Sequence, residues 1–314
     1  MKNNLGLFLR GLAMGAADIV PGVSGGTIAL ITGIYERLID SLRNLGSIAT
    51  LHELRTGAFK TTFKRADCMF LLCVFAGIGS SIVLLSQLIV WAIAAYPIPV
   101  WAFFSGLVLA SAWLLLYQMK NNYSHIPWQT WLFLILGSIC AFSLGRLTPA
   151  AYEPTIVHFF LGGAIAICAM ILPGISGSFI LLIMGMYTPL LNALHTTQVL
   201  NIFVFLCGCG IGLLSFSHVL SWVLHRFPLA THSLLIGLML GSLEKIWPWK
   251  AVISTRINSH GEVVPLLEKT ISPSNYAQIM QQDSQLVIAV FSACFAFLCI
   301  LAISRLVKND SAAD

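Results

Sequence analysis

The chain is poor in charge: 9% of its 314 residues are Asp, Glu, Lys or Arg, against about 25% in soluble domains. A globule of this length could not coat its surface with so few charges, which excludes an ordinary water-soluble enzyme or binding module. Paired cysteines are lacking too. Cys68, Cys73, Cys140, Cys168, Cys207, Cys209, Cys294 and Cys299 lie almost entirely within apolar runs and none has CxxC spacing, so they read as buried, inert thiols, and the pattern does not support a disulfide framework or a zinc site. No GxxxxGK[ST] loop is present, which excludes an ATP-driven cycle of the P-loop kind. The N-terminus lacks a convincing small-residue cleavage site, and Asp18 with the glycine-rich run Gly22–Gly26 interrupts the apolar stretch a signal peptide needs; the segment is expected to be retained.

What fills the space is apolar: hydrophobic residues make up 58% and the mean hydropathy is +0.88. The surplus apolar surface must face lipid. The net charge of +5 does not indicate a nucleic-acid partner, because the basic residues cluster at the ends of apolar runs, as orientation in a membrane requires. The expected fold class is all-α: a polytopic membrane protein, one membrane domain over 1–314.

The chain repeats itself. Residues 9–42 lie on 161–194 without gaps at an offset of 152, so that Pro21-Gly22 meets Pro173-Gly174, Ser24-Gly25 meets Ser176-Gly177, and Gly33 and Tyr35 meet Gly185 and Tyr187. A second block, 70–111, lies on 201–242 at an offset of 131, pairing Gly77, Ser86, Trp91, Pro97 and Gly106 with Gly208, Ser217, Trp222, Pro228 and Gly237. Both blocks occur in the same order, which chance does not readily give.

A crossing needs about 20 apolar residues. Six segments qualify: about 69–95, 98–118, 130–147, 200–224, 229–246 and 285–306. The two motif regions, about 5–42 and 155–194, differ; each is a pair of short apolar stretches broken at the centre by Pro, Gly and Ser, which suits a re-entrant helical hairpin. The predicted order is a first repeat over 5–118, a linking span at 130–147, a second repeat over 155–246, an outer polar loop at 247–284 and a last span at 285–306. With both termini cytoplasmic, that side receives Lys2, Arg10, Arg37, Arg43, Arg55, Lys60, Lys64, Arg65, Lys120, Arg226, Arg305 and Lys308. The outer side receives Arg146, Lys245, Lys250, Arg256 and Lys269. The excess on one side obeys the positive-inside rule and makes the repeats inverted, as in many secondary transporters. Residues 43–67 read as an amphipathic helix at the cytoplasmic interface.

The motifs carry the chemistry. Proline ends the entering half-helix, glycine lets the backbone turn, and Ser24 and Thr27, like Ser176 and Ser178, can cap the returning one. Free N–H groups at such a helix start attract anions, phosphate above all. The candidate phosphate-binding residues are Arg10, Gly22, Ser24, Gly25, Gly26, Thr27 and Arg37 in the first half and Gly174, Ser176, Gly177 and Ser178 in the second; the competing reading of the motifs is a pair of kinks for close packing. Asp18 lies in an apolar stretch, where a charge costs about 2.5–3.5 kcal/mol at the bilayer centre and usually lines a pathway. Asp18 and Glu36 have Met170 and Thr188 opposite them in the second repeat, so proton or sodium handling would belong to the first half. Arg10, Glu36 and Arg37 also suit interfacial anchoring. Gly22-Val23-Ser24-Gly25-Gly26 fits the GxSxG nucleophile pattern, and an intramembrane serine hydrolase using Ser24 with His218, His225 or His232 is an alternative; a small-anion transporter is another. The symmetric Ser176 weighs against the hydrolase, since one nucleophile suffices there.

The runs MGAADIVPGVSGGTIALITGIYERLI (Met14–Ile39) and MILPGISGSFILLIMGMY (Met170–Tyr187) resemble the bacterial polyprenyl-phosphate (undecaprenyl-phosphate) transporter family of the PopT type. The resemblance implies translocation of undecaprenyl phosphate across the bacterial cytoplasmic membrane, recycling the carrier lipid for cell-wall and surface-polysaccharide synthesis. It implies a transporter rather than an enzyme, with the carrier lipid as partner; no cofactor and no metal are expected, a proton or sodium ion is a further candidate partner through Asp18 and Glu36, and homo-oligomerisation is left open.

Overall fold

The structure is a computed structural model that describes residues 4–20, 22–123, 125–147, 153–257 and 263–312. Pro21, which opens the first motif, lies outside the described residues. The first half contains α1 (Asn4–Ile19), α2 (Gly25–Ile31), α3 (Tyr35–Leu45), two short helices α4 (Ile48–Arg55) and α5 (Phe59–Arg65), then the long α6 (Cys68–Ala95) and α7 (Pro97–Asn122), followed by α8 (Trp128–Gly145). The second contains α9 (Ile156–Ile171), α10 (Gly177–Ile183), α11 (Tyr187–His195), α12 (Val199–Arg226) and α13 (Pro228–Gly241), then strands β1 (Lys250–Ile257) and β2 (Val263–Thr270), α14 (Pro273–Met280) and α15 (Leu286–Ala312).

The halves repeat in geometry as well as in sequence. α6 and α12 are each 28 residues long. Each ends on one aromatic residue, Tyr96 or Phe227, at φ −135 with ψ 58 or 59, before a proline that opens the next helix. Proline suits that first position because its missing N–H would be unsatisfied there anyway. Gly11 faces the Val74 backbone just as Gly163 faces that of Phe205, and Gly77 faces Phe8 as Gly208 faces Phe160. A Cβ at any of the four would enter the neighbouring backbone, so glycine is what lets α1 lie against α6 and α9 against α12. Gly15 against Ile78 follows Gly11 against Val74, and Gly212 against Ala164 follows Gly208 against Phe160, so both helix pairs are parallel. Gly22, Gly33, Gly174 and Gly185 all take positive φ, at matching breaks in the two halves.

α6 and α12 run in opposite directions. The start of α6 is tied to α3 by the Arg37–Asp67 ion pair at 2.7 Å and by Arg37 over the Phe70 ring. The end of α12 is tied to the same helix α3 through Ser221, which donates to Asp40 at 2.6 Å. One face of the molecule therefore carries α3–α5, the start of α6 and the end of α12; the opposite face carries the β1–β2 hairpin. The last helix of each half packs on the other half: α8 lies along α13, with Gly137 and Gly237 in backbone contact, and α15 lies along α7 at Gly106.

Among the described residues, four helices (α6, α7, α8 and α12) are long and apolar enough to cross a membrane, or five crossings if α10 and α11, bent by 105°, count as one. The expected span at 229–246 is α-helical to Gly241 and continues as a 3-10 turn over Ser242–Glu244, and the apolar part of α15 is Leu286–Ala302. The polar 247–284 segment, expected as a loop, contains the antiparallel β1–β2 pair, Lys250 opposite Thr270 and Ile257 opposite Val263. Large apolar side chains point outward, Val83 at 78% exposure and Phe291 at 72%; in water these would be costly, and a lipid environment removes the cost. The interior is built around Tyr35, Ile39, Phe70, Val108, Ile236 and Met239, all below 2% exposed.

Candidate functional site

The two broken-helix motifs cross in the interior. Ser24 is the N-cap of α2, accepting from the Gly26 N–H at 3.1 Å and donating to the Met170 carbonyl of the other half at 3.1 Å. The cap preference follows from the orphan N–H groups at any helix start. The Asp18 carboxylate accepts from the Gly25 N–H at 2.7 Å, and the Thr27 N–H bonds the Ser24 carbonyl at 2.9 Å. A Cβ at Gly25 would meet Asp18 and one at Gly26 would meet the Ile171 carbonyl, so neither position admits a side chain. In this conformation the Gly25, Gly26 and Thr27 amides, expected to help cradle phosphate, already have protein partners. Ser24 and Thr27 are buried, and the Thr27 hydroxyl has no hydrogen-bond partner among the described residues.

The second motif is more open. Ser176 and Ser178 bond each other through their hydroxyls at 2.9 Å, and α10 has no side-chain cap. Ser178 is exposed. Gly174 lies against Leu238 and Met239 in α13, whereas Gly22 lies against Lys245 and Ile246 beyond its end. A narrow cleft of about 20 Å³ joins Gly22, Gly174, Ser176 and Lys245.

The charged candidates are dispersed. Glu36 faces His232 of α13 at 3.4 Å, and Asp40 faces His225 of α12 at 3.6 Å. Arg43 donates to Ser221 at 3.2 Å. These contacts close the α3 face between the two halves; a smaller cavity of about 280 Å³ remains there, lined by Tyr35, Glu36, Gln118, Asn122 and His232. Arg37 is engaged by Asp67 and Phe70, and Arg10 is half-buried on α1 without an ion pair to Asp18. The hydrolase alternative requires a histidine base at Ser24, and no histidine is hydrogen-bonded to it among the described residues. Nδ1 of His218, His225 and His232 lies 2.7–2.8 Å from the carbonyl four residues earlier, at Leu214, Ser221 and Pro228. A carbonyl only accepts, so in each the Nδ1–H donates; the Ser24 hydroxyl is meanwhile committed to Met170.

The β-hairpin face holds what the sequence reading passed over. A cavity of about 490 Å³ is lined by Arg146, Glu244, Lys245, Lys250, Glu268 and Lys269, with Phe179 and Thr270. It lies where α13 ends after 14 residues and gives way to a 3-10 turn, Ser242–Glu244, whereas its counterpart α7 runs for 26. Lys250 is held by Glu268 at 3.2 Å, by the Lys245 carbonyl at 2.7 Å and over the Trp101 ring. Burial pushes its pKa below the ordinary lysine value and Glu268 pulls it partly back. Arg146 faces Glu244 at 3.3 Å. These residues read in the sequence as outer-loop charges because each closes or follows an apolar run.

A family model described as undecaprenyl phosphate translocase-like matches residues 14–264, which include both motifs and the α13 end. The chain is 47% identical over 304 residues to a polyprenyl-phosphate transporter of Vibrio cholerae serotype O1, covering 96% of this chain and 97% of that relative. It is 31% identical over 255 residues to a polyprenyl-phosphate transporter of Staphylococcus aureus, covering 76% and 85% respectively. No solved structure matches the chain.

Proposed function

We propose, from the premise that this chain belongs to the undecaprenyl phosphate translocase-like family, that it moves a polyprenyl phosphate, undecaprenyl phosphate in particular, between the leaflets of the bacterial cytoplasmic membrane. The lipid returns for cell-wall and surface-polysaccharide synthesis. The protein is a transporter and not an enzyme. The observation that carries this reading is the crossing of two antiparallel broken-helix motifs, joined by the Ser24–Met170 hydrogen bond. The phosphate head needs a polar route, whereas the isoprenoid tail can stay in lipid.

In this reading the architecture is an inverted repeat with two re-entrant hairpins and about six spans, the α3–α5 face cytoplasmic and both termini on that side. Cavities open at both ends of the motif region, while the inter-half contacts Glu36–His232 and Asp40–His225 restrict the α3 end. Such asymmetry suits one state of an alternating-access cycle. Gly174, Ser176, Gly177 and Ser178 meet the head group in this state. Gly22, Ser24, Gly25, Gly26 and Thr27, with Arg10 and Arg37, meet it in the opposite state, once the first motif's amides are released. Asp18 and Glu36 couple the exchange to a proton or sodium ion.

Reconstitution tests the reading: liposomes holding labelled undecaprenyl phosphate are assayed for leaflet exchange with and without an imposed pH or sodium gradient. Protein-dependent exchange is expected. No exchange above protein-free liposomes, in either gradient, would refute it. Transport of a small anion with no competition by short-chain polyprenyl phosphate would replace it with the small-anion reading.

A further inference from the structure

The cavity under the β-hairpin contains a lysine at unusual depth. Ser105 of α7 donates to the Ile246 carbonyl at 2.8 Å. Ser105 lies eight residues into α7, which starts at Pro97, so Lys245 is about 12 Å below the end of that helix at 1.5 Å per residue. The repeat offset of 131 places Leu114 of α7 at the position equivalent to Lys245. In the first half that position continues an apolar helix; in the second the α-helix has given way to a 3-10 turn ending at Glu244, and the cation after it faces the cavity.

The cations around this cavity differ in what neutralises them. Arg146 faces Glu244, and Lys250 faces Glu268. Lys245 has no carboxylate within ion-pair distance among the described residues; its ammonium lies over the Phe179 ring at 4.5 Å. Glu268 and Glu244 attract Lys245 from beyond ion-pair distance, but each is paired with another cation, and a half-buried charge with no close counter-ion is unfavourable until an opposite charge visits it. Among the described residues, and counting Lys269, four cations face two carboxylates in a cavity of about 490 Å³. Lys245 also lines the cleft that reaches Gly22, Gly174 and Ser176, so it touches both the open cavity and the crossing of the motifs.

We propose that this cavity is the entry site for a phosphomonoester head group, with Lys245 its principal cationic ligand and Lys269 an attracting charge at the rim. The proposal rests on the transport reading above and adds where the head group first docks. A phosphate dianion there supplies the charge that Lys245 lacks, and its next contacts inward are Ser176 and the glycines of the two motifs. Arg146 and Lys250 keep their carboxylates and hold the walls, Lys250 by bonding the Lys245 carbonyl.

The test is equilibrium binding of radiolabelled farnesyl phosphate to the purified full chain in detergent, with inorganic phosphate and farnesol as competitors. Wild type is expected to bind; Lys245→Gln to bind at least tenfold more weakly; Lys245→Arg to stay within about threefold of wild type; Lys269→Gln to lose two- to fivefold, and more at low salt than at high salt, as a screened rim charge should. Farnesol and inorganic phosphate are expected to compete poorly. Equal binding by wild type and folded Lys245→Gln overturns the proposal. If Lys245→Gln fails to fold, Lys269→Gln and Lys245→Arg decide: unchanged affinity and salt dependence in Lys269→Gln, or loss of binding in folded Lys245→Arg, overturns it. Inorganic phosphate competing as well as unlabelled farnesyl phosphate assigns the cavity to free phosphate and overturns the lipid assignment. Leaflet exchange measured on the same preparations separates the two readings. Exchange by wild type with binding unaltered by Lys245→Gln ends the docking proposal alone, whereas absence of exchange by wild type ends the transport reading.

Discussion

Replacing Asp18 by asparagine separates a structural role for this carboxylate from an ion-coupling one. Asp18 accepts from the Gly25 N–H at 2.7 Å. A hydrogen bond to a charged group contributes about 1.5–3 kcal/mol and a neutral one about 0.5–1.5 kcal/mol. Asparagine keeps an acceptor of the same size in the same place, so the expected loss of stability is about 1 kcal/mol. Asp18→Ala removes the acceptor altogether and leaves the Gly25 N–H without a partner in the interior, at a further cost of about 1–3 kcal/mol. Two measurements are compared on each variant: thermal unfolding of the purified protein in detergent, and leaflet exchange of labelled undecaprenyl phosphate in liposomes. Should Asp18 release the Gly25 amide in order to take an ion during the cycle, Asp18→Asn will unfold within a few degrees of wild type. It will nevertheless lose at least tenfold in exchange, together with the response to an imposed gradient. Exchange that keeps the wild-type gradient response in Asp18→Asn, or that falls only in proportion to lost folded protein across both variants, would show that the carboxylate does no more than hold the hairpin.

Ser24→Ala is expected to lose about 1 kcal/mol as a helix cap and about another 1 kcal/mol from the bond to Met170, lowering the unfolding temperature while exchange persists at a reduced rate; complete loss of function in a fully folded protein would reopen the nucleophile reading. Gly11→Leu and Gly163→Leu are expected to lower folded yield to a similar extent, because both side chains would enter a neighbouring backbone at equivalent places; tolerance of one with failure of the other, measured by size-exclusion profile, would break the equivalence of the two helix pairs. Glu36→Cys with His232→Cys, joined by a short thiol cross-linker in a background lacking the native cysteines, is expected to arrest exchange, with recovery when the linker is cleaved. Undiminished exchange in the cross-linked protein would show that the α3 end need not open.

Much of this molecule is legible in the residues alone. Low charge and long apolar runs require lipid. The Pro-Gly and Ser-Gly pairs at matched offsets mark breaks that local backbone preference enforces, and the structure shows positive φ at Gly22 and Gly174 where those breaks fall. The one-residue turns at Tyr96 and Phe227 follow from the prolines after them. These are local effects, and local effects are written in sequence. The fate of the first motif's amides is not: that Gly25 bonds Asp18, and that Ser24 reaches Met170, depends on how α1, α2 and α9 lie against one another.

Lys245 shows the limit best. At the end of an apolar run it reads as an interfacial charge, because counting residues along a straight helix puts it at the surface. Only the packed molecule shows that α13 gives way to a 3-10 turn after Gly241 and that Ser105, eight residues inside α7, bonds the Ile246 carbonyl, which sets Lys245 below the end of α7 and facing a cavity. The same holds for α8 and α15, whose apolar sequences say that they are buried in something but not in which half. Periodicity fixes the face a helix buries; the depth of a side chain and the identity of its neighbour are set by the angles and lengths of several helices together.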